Sequence, residues 1–135
     1  MNITQEADYA IRAVLILAEE GEGAKLDAKT ISQRGFIPLR FLLKLLRKLI
    51  QGNIVRSYRG VNGGYALLKN SKDINVRQVI EAVDGPICIN RCLLNDDFCN
   101  ASRSPKCNIH KRLEIVQNNL IRELENISFF DLKNK

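Results

Sequence analysis

The passage from residue 38 to residue 69 constrains this chain more than any other. Pro38 suits the first turn of a helix that runs to Gln51 and is closed by Gly52. Within that helix Leu39, Leu42, Leu45, Leu46 and Leu49 form one face. Arg40, Lys44, Arg47 and Gln51 fall at i, i+4, i+7 and i+11 on the other, with Lys48 beside them. Such a helix lies on a core and presents cations outward. A shorter helix, residues 28–34, precedes it, with Asp27 as its cap and Gly35 as its stop, so the pair reads as a helix-turn-helix. Residues 54–58 and 65–69 then read as two short strands around Arg59-Gly60-Val61-Asn62-Gly63-Gly64. Asn-Gly signals a hairpin because both residues tolerate positive φ. A helix-turn-helix followed directly by a Gly-rich, Arg-bearing hairpin predicts a winged helix.

The flanking segments support one small core plus an extension. Thr4 is placed to cap a first helix in which Ala7, Ala10, Ile11, Val14, Leu15 and Ala18 repeat up to the break at Gly21-Glu22-Gly23. Asp73 is placed to cap a fourth helix carrying Val76, Val79, Ile80 and Val83, which Gly85-Pro86 ends. Residues 85–105 show no period. Residues 106–127 carry Ile109, Leu113, Val116, Leu120, Leu124 and Ile127 at steps of three or four, a stripe along a helix too long for a domain of this size. The expected class is mainly α: a winged helix-turn-helix (residues 1–84) with a small β-hairpin wing, a cysteine-rich loop (85–107), and a long dimerisation helix with a C-terminal tail (108–135).

Composition narrows the partners. The 135 residues hold 21 Lys+Arg against 15 Asp+Glu, a formal charge of +6 that favours a polyanion. No apolar run approaches the ~20 residues of a membrane span, and the first residues lack the pattern of a secretory leader, so the expected location is the cytoplasm. In that reducing compartment four cysteines are expected as thiols or metal ligands rather than disulfides. Cys92-x6-Cys99-x7-Cys107-x2-His110 gathers soft donors of the kind that zinc and iron–sulfur clusters select. Three Cys and one His also compose an ordinary structural zinc site. His110 is the sole histidine, and no triad or paired-carboxylate constellation suggests an enzyme.

The basic face and the wing carry a nucleic-acid reading. Arg40, Lys44, Arg47 and Lys48 would meet guanine edges or phosphates in the major groove of double-stranded DNA. Arg56, Ser57 and Tyr58 would add phosphate contacts. Arg59, Gly60, Asn62 and Gly63 form a tip on which glycines allow close approach and Arg59 can enter a minor groove. The same surface could instead be solvated charge on an interaction adaptor with a structural zinc or an apo, thiol-based sensor loop.

Several segments together resemble the bacterial winged-helix regulators that include IscR, NsrR and CymR, over nearly the whole chain. They are Thr4 with Asp8-Tyr9-Ala10-Ile11-Arg12-Ala13, the wing Arg59-Gly60-x2-Gly63-Gly64-Tyr65 with the preceding Leu49-x2-Gly52-x-Ile54-Val55, Val79-Ile80-x-Ala82-Val83-Asp84-Gly85-Pro86, and Cys107-x2-His110. The resemblance implies a homodimer on a palindromic promoter site, with crossing C-terminal helices. It also implies, in the sensor members, an iron–sulfur cluster. Cys92, Cys99 and Cys107 match the cluster ligands in order. His110 stands where IscR-like members place a histidine ligand and implies a two-iron (2Fe-2S) cluster. Asp8 of the partner subunit is the alternative, with a four-iron (4Fe-4S) cluster. Cys88 has no counterpart and is read as a small buried hydrophobe, with ligation as its alternative role. Leu43 stands where IscR-like sequences carry an acidic residue, so their sequence preference is not expected to transfer.

Overall fold

Alanine sets the middle of the molecule. In α1 (Gln5–Glu20) Ala7, Ala10 and Ala13 are fully buried, and these short side chains let other helices approach α1 closely from several sides. The computed structural model describes residues 2–98, 100–101 and 106–133. Thr4 caps α1 as expected, its Oγ1 accepting from the Ala7 amide at 3.1 Å, and its hydroxyl donates to Asp84 at 2.8 Å. A cap of this kind contributes about 1 kcal/mol.

α2 (Ala28–Gly35) and α3 (Leu39–Gln51) form the helix-turn-helix. Asp27 precedes α2 and accepts the Thr30 hydroxyl at 2.5 Å, a bond that holds its carboxyl below the usual range. Gly35 does not stop the helix by taking the left-handed conformation; it is the last helical residue. A Cβ there would stand 2.9 Å from Ile37 Cδ1 and 3.1 Å from Ile16 Cδ1, so a side chain at this place would displace the tips of both isoleucines. The left-handed role passes to Phe36, at φ 53°. Arg12 Nη1 donates to the Gly35 carbonyl at 3.1 Å and anchors the turn to α1. In α3 the buried face is Leu42, Leu45, Leu46 and Leu49. Leu39, expected in that face, lies on its flank at the helix start and is 44 % exposed.

β1 (Val55–Tyr58) pairs antiparallel with β2 (Gly64–Leu67) in a register that sets Val55 opposite Leu67 and Tyr58 opposite Gly64. Residues 59–63 therefore form a longer loop than a two-residue Asn-Gly turn. Positive φ falls on Gly60 and Gly64, not on Asn62. At Gly64 a Cβ would meet the Leu26 carbonyl oxygen at 2.7 Å, because Leu26 bridges to β2 through mutual hydrogen bonds with Tyr65 of 2.9 and 2.8 Å. Tyr65 packs on the core beneath the wing.

α4 (Val76–Asp84) begins at a different cap from the one expected. Asn75, not Asp73, is the N-cap, because Asn75 and Gln78 complete a reciprocal capping box, while Asp73 closes the 3₁₀ turn Ser71–Asp73. The span after Gly85 is not structureless: α5 (Arg91–Leu94) and a 3₁₀ turn, Asp96–Phe98, interrupt it. α6 (Asn108–Glu125) follows, and α7 (Phe129–Lys133) returns to α1. Phe129 is the largest fully buried side chain, held by its amide on the Ile74 carbonyl at 3.0 Å. Arg77 joins α4 to α6 by bonding both Glu81 and Glu125, and the Glu125 bond is the main cause of its raised pKa.

Candidate nucleic-acid interface and cysteine segment

The buried leucines of α3 fix which way its cations point. At about 100° per residue, Arg40, Lys44, Arg47 and Gln51 lie opposite the buried side, and all four are exposed. No acidic residue occurs in α3. Arg40 rests its guanidinium 5.1 Å from the Phe41 ring. Lys48 departs from the expected group. Its Nζ bonds Glu6 Oε1 at 2.8 Å and the Val83 carbonyl at 3.3 Å, which ties α3 to α1 and α4.

The wing extends the same charge. Arg56, Ser57, Arg59, Gly60 and Asn62 are exposed, and Gly63 is half-buried against the loop backbone. Tyr58 carries two cations on its ring, Lys25 at 4.3 Å and Arg56 at 5.3 Å. Lys25 escaped sequence reasoning, since nothing local links it to a strand more than thirty residues on. Also missed were Val61, fully exposed at the wing tip, and Phe36, 85 % exposed in the helix-turn-helix. A bulky residue in the left-handed region was the signal that would have found Phe36, and it requires coordinates.

The cysteine segment is only partly described, because Cys99 lies outside the described residues. Cys92 sits on α5 and Cys107 is the N-cap residue of α6, two elements in contact; both thiols are half-buried and free of disulfides. Cys88 is half-buried rather than buried, and its thiol donates to the Asn90 carbonyl at 2.6 Å. His110 is only 7 % exposed, with Nε2 3.4 Å from Glu114 Oε2. Asp8 is paired with Arg12 at 2.7 Å. Among the described residues no three Cys, His, Asp or Glu side chains converge closely enough to hold a metal. The donor chemistry of Cys92 and Cys107 nevertheless suits a soft metal, since both are accessible thiols on adjoining elements.

The apolar stripe of α6 is divided. Leu120 and Leu124 of the stripe, with Ile121, pack against the domain's own core, whereas Ile109 and Val116 of the stripe are 65 % and 54 % exposed; Ile115, off the stripe, is 55 % exposed. Gln117 accepts the Ile89 amide at 3.0 Å and fastens residues 85–90 to α6. No helix among the described residues is long and apolar enough to cross a membrane.

A winged helix-turn-helix with an outward basic helix defines a DNA-binding regulator. Residues 3–135 match the Rrf2 family, described as an iron-dependent transcriptional regulator. The chain belongs to that family, and it is a DNA-binding transcription regulator rather than an enzyme. It is 39 % identical over 94 residues to the rrf2-like HTH-type transcriptional regulator of Rhodobacter capsulatus, a match spanning 67 % of this chain and 63 % of that protein. It is 33 % identical over 134 residues to the HTH-type transcriptional regulator IscR of Escherichia coli, covering 99 % of this chain and 81 % of IscR. The fold matches CymR, the global cysteine regulator of B. subtilis, with a TM-score of 0.78 at 23 % identity over 99 % of this chain and 97 % of CymR.

Proposed function

We propose that this regulator acts as a homodimer on an imperfect palindrome and that an iron–sulfur cluster on the cysteine segment sets its affinity for DNA. The observation that carries the reading is α6: the helix whose N-cap is Cys107 also leaves Ile109, Ile115 and Val116 uncovered. A second copy would bury them, so ligand and dimer contact share one rigid element. Half-sites would lie about one helical turn, ~10 base pairs, apart or a multiple of it. Arg40, Lys44 and Arg47 would enter the major groove, Arg56, Ser57 and Tyr58 would hold phosphates, and the tip with Arg59, Gly60, Asn62 and Gly63 would reach the minor groove. Lys48, engaged with Glu6, leaves that set. Residues 1–84 would be the DNA-binding unit, 85–107 the cluster segment and 108–135 the dimerisation helix and tail.

Cys92, Cys99 and Cys107 would hold the cluster, with His110 in the fourth position and a two-iron type as the consequence. His110 lies one turn beyond Cys107, which supports the assignment; Asp8 is the alternative. A bound cluster supplies one-electron chemistry and sensitivity to oxidation, nitrosylation or loss. The family's description as iron-dependent supports iron over zinc.

Visible absorption of anaerobically purified protein tests the ligand set. Cluster bands should appear in the wild type and vanish when Cys92, Cys99 or Cys107 becomes Ser. His110→Ala should shift them, and Asp8→Ala should leave them in place. A colourless protein carrying one zinc per chain would overturn the proposal. Loss of the bands in Asp8→Ala with none in His110→Ala would transfer the fourth position to Asp8.

A further inference from the structure

The outward side of α3 is not uniformly basic. Leu39 and Leu43 stand one turn apart at about 100° per residue, along the edge of the row formed by Arg40, Lys44 and Arg47. They are 44 % and 38 % exposed, while the leucines that serve the core are at most 1 % exposed. The two apolar residues therefore border the cation row, Leu43 beside Arg47 and Leu39 on the flank of the buried face. Their surroundings carry several positive charges and α3 has no acidic residue, which matches a polyanion better than the mixed surface of another protein.

We propose that Leu39 and Leu43 read the 5-methyl groups of thymines in the major groove. This rests on the docking of α3 in that groove proposed above. The chemistry is that of apolar contact: thymine alone among the four bases offers a methyl group there, and it has no use for a charged partner. Four residues of helix advance about 6 Å, close to two base-pair steps of 3.4 Å, so the two methyls should belong to thymines about two base pairs apart in each half-site. Arg40, Lys44 and Arg47 supply affinity through phosphates and guanine edges; the leucines supply discrimination at A·T pairs.

The test replaces single thymines by uracil in a site selected from random DNA by the intact wild-type protein. The change removes one methyl group and leaves every hydrogen-bonding edge unaltered. Binding by fluorescence anisotropy should weaken roughly three- to tenfold at one or two thymines per half-site, about the effect of removing one apolar group. Leu43→Ala and Leu39→Ala should each abolish the thymine-over-uracil preference at one of those positions while keeping the salt dependence of binding. Both leucines are substantially exposed, so the variants should fold, as circular dichroism would confirm. Uracil tolerated at every position, or a preference that survives both alanine variants, would overturn the proposal while the docking of α3 stands. Failure to select any site would overturn both.

Discussion

Phe36 holds a backbone conformation that costs a residue with a Cβ roughly 1–2 kcal/mol, and its ring, 85 % exposed, recovers little by packing. Phe36→Gly should therefore stabilise the fold by about 0.5–1 kcal/mol once the larger freedom of glycine in the unfolded chain is subtracted. Urea denaturation checks this, and a lower midpoint would mean that the ring contributes packing. Lys48 and Arg47 make a complementary pair. Lys48→Met should lower stability by up to about 1 kcal/mol, the range of a partly exposed ion pair, and leave the salt slope of DNA binding unchanged. Arg47→Ala and Arg59→Ala should each reduce that slope by roughly one unit, the effect of leaving one phosphate without its cation. A slope that falls in Lys48→Met and holds in Arg47→Ala would reverse the assignment of the basic face.

At the scale of elements, α6 carries two different kinds of apolar residue. Leu124 is partly buried against the core of its own chain, so Leu124→Asp removes that contact and sets a charge beside apolar neighbours, which should cost about 1–3 kcal/mol of stability. Val116 is uncovered, so Val116→Asp should leave the chain folded and release monomers that bind a half-site weakly. Light scattering with circular dichroism separates the outcomes; a Val116→Asp protein with the wild-type mass would remove α6 from the dimer contact. α7 is the other element with a testable consequence. Phe129→Ala should cost about 3–5 kcal/mol in urea denaturation, since its fully buried ring is what seats α7 beside α1.

At the scale of the whole molecule, what could be read from sequence was what neighbouring residues decide. Thr4 beside the alanine and valine period placed α1, the leucine face and basic stripe placed α3, and Gly85 ended α4, all through local interactions. The errors arose where distant parts compete. A helical stripe states that a side is covered but not by what, so two of its six residues in α6, Leu120 and Leu124, proved to serve the domain itself. The cap of α4 is the exception: Asp73 was expected there, although Asn75 with Gln78 three residues on is a local capping-box pattern. Lys48 reads as one more cation until Glu6 is brought beside it, and Phe129 reads as a tail residue until the chain returns. The basic surface was legible because helical phase alone defines it. The cysteine segment was legible only as a set of donors, since its geometry depends on elements without periodicity.

If a centre on the cysteines controls how this regulator holds DNA, removing its iron must change the affinity. The most direct measurement is one titration of the selected palindrome with a single anaerobic preparation, before and after the iron is removed by a chelator. The two dissociation constants should differ by at least about tenfold, a coupling of ~1.4 kcal/mol within the range of allosteric linkage, and Cys107→Ser should follow the stripped curve under both conditions. Coincident curves for the two forms of the wild type would contradict that control.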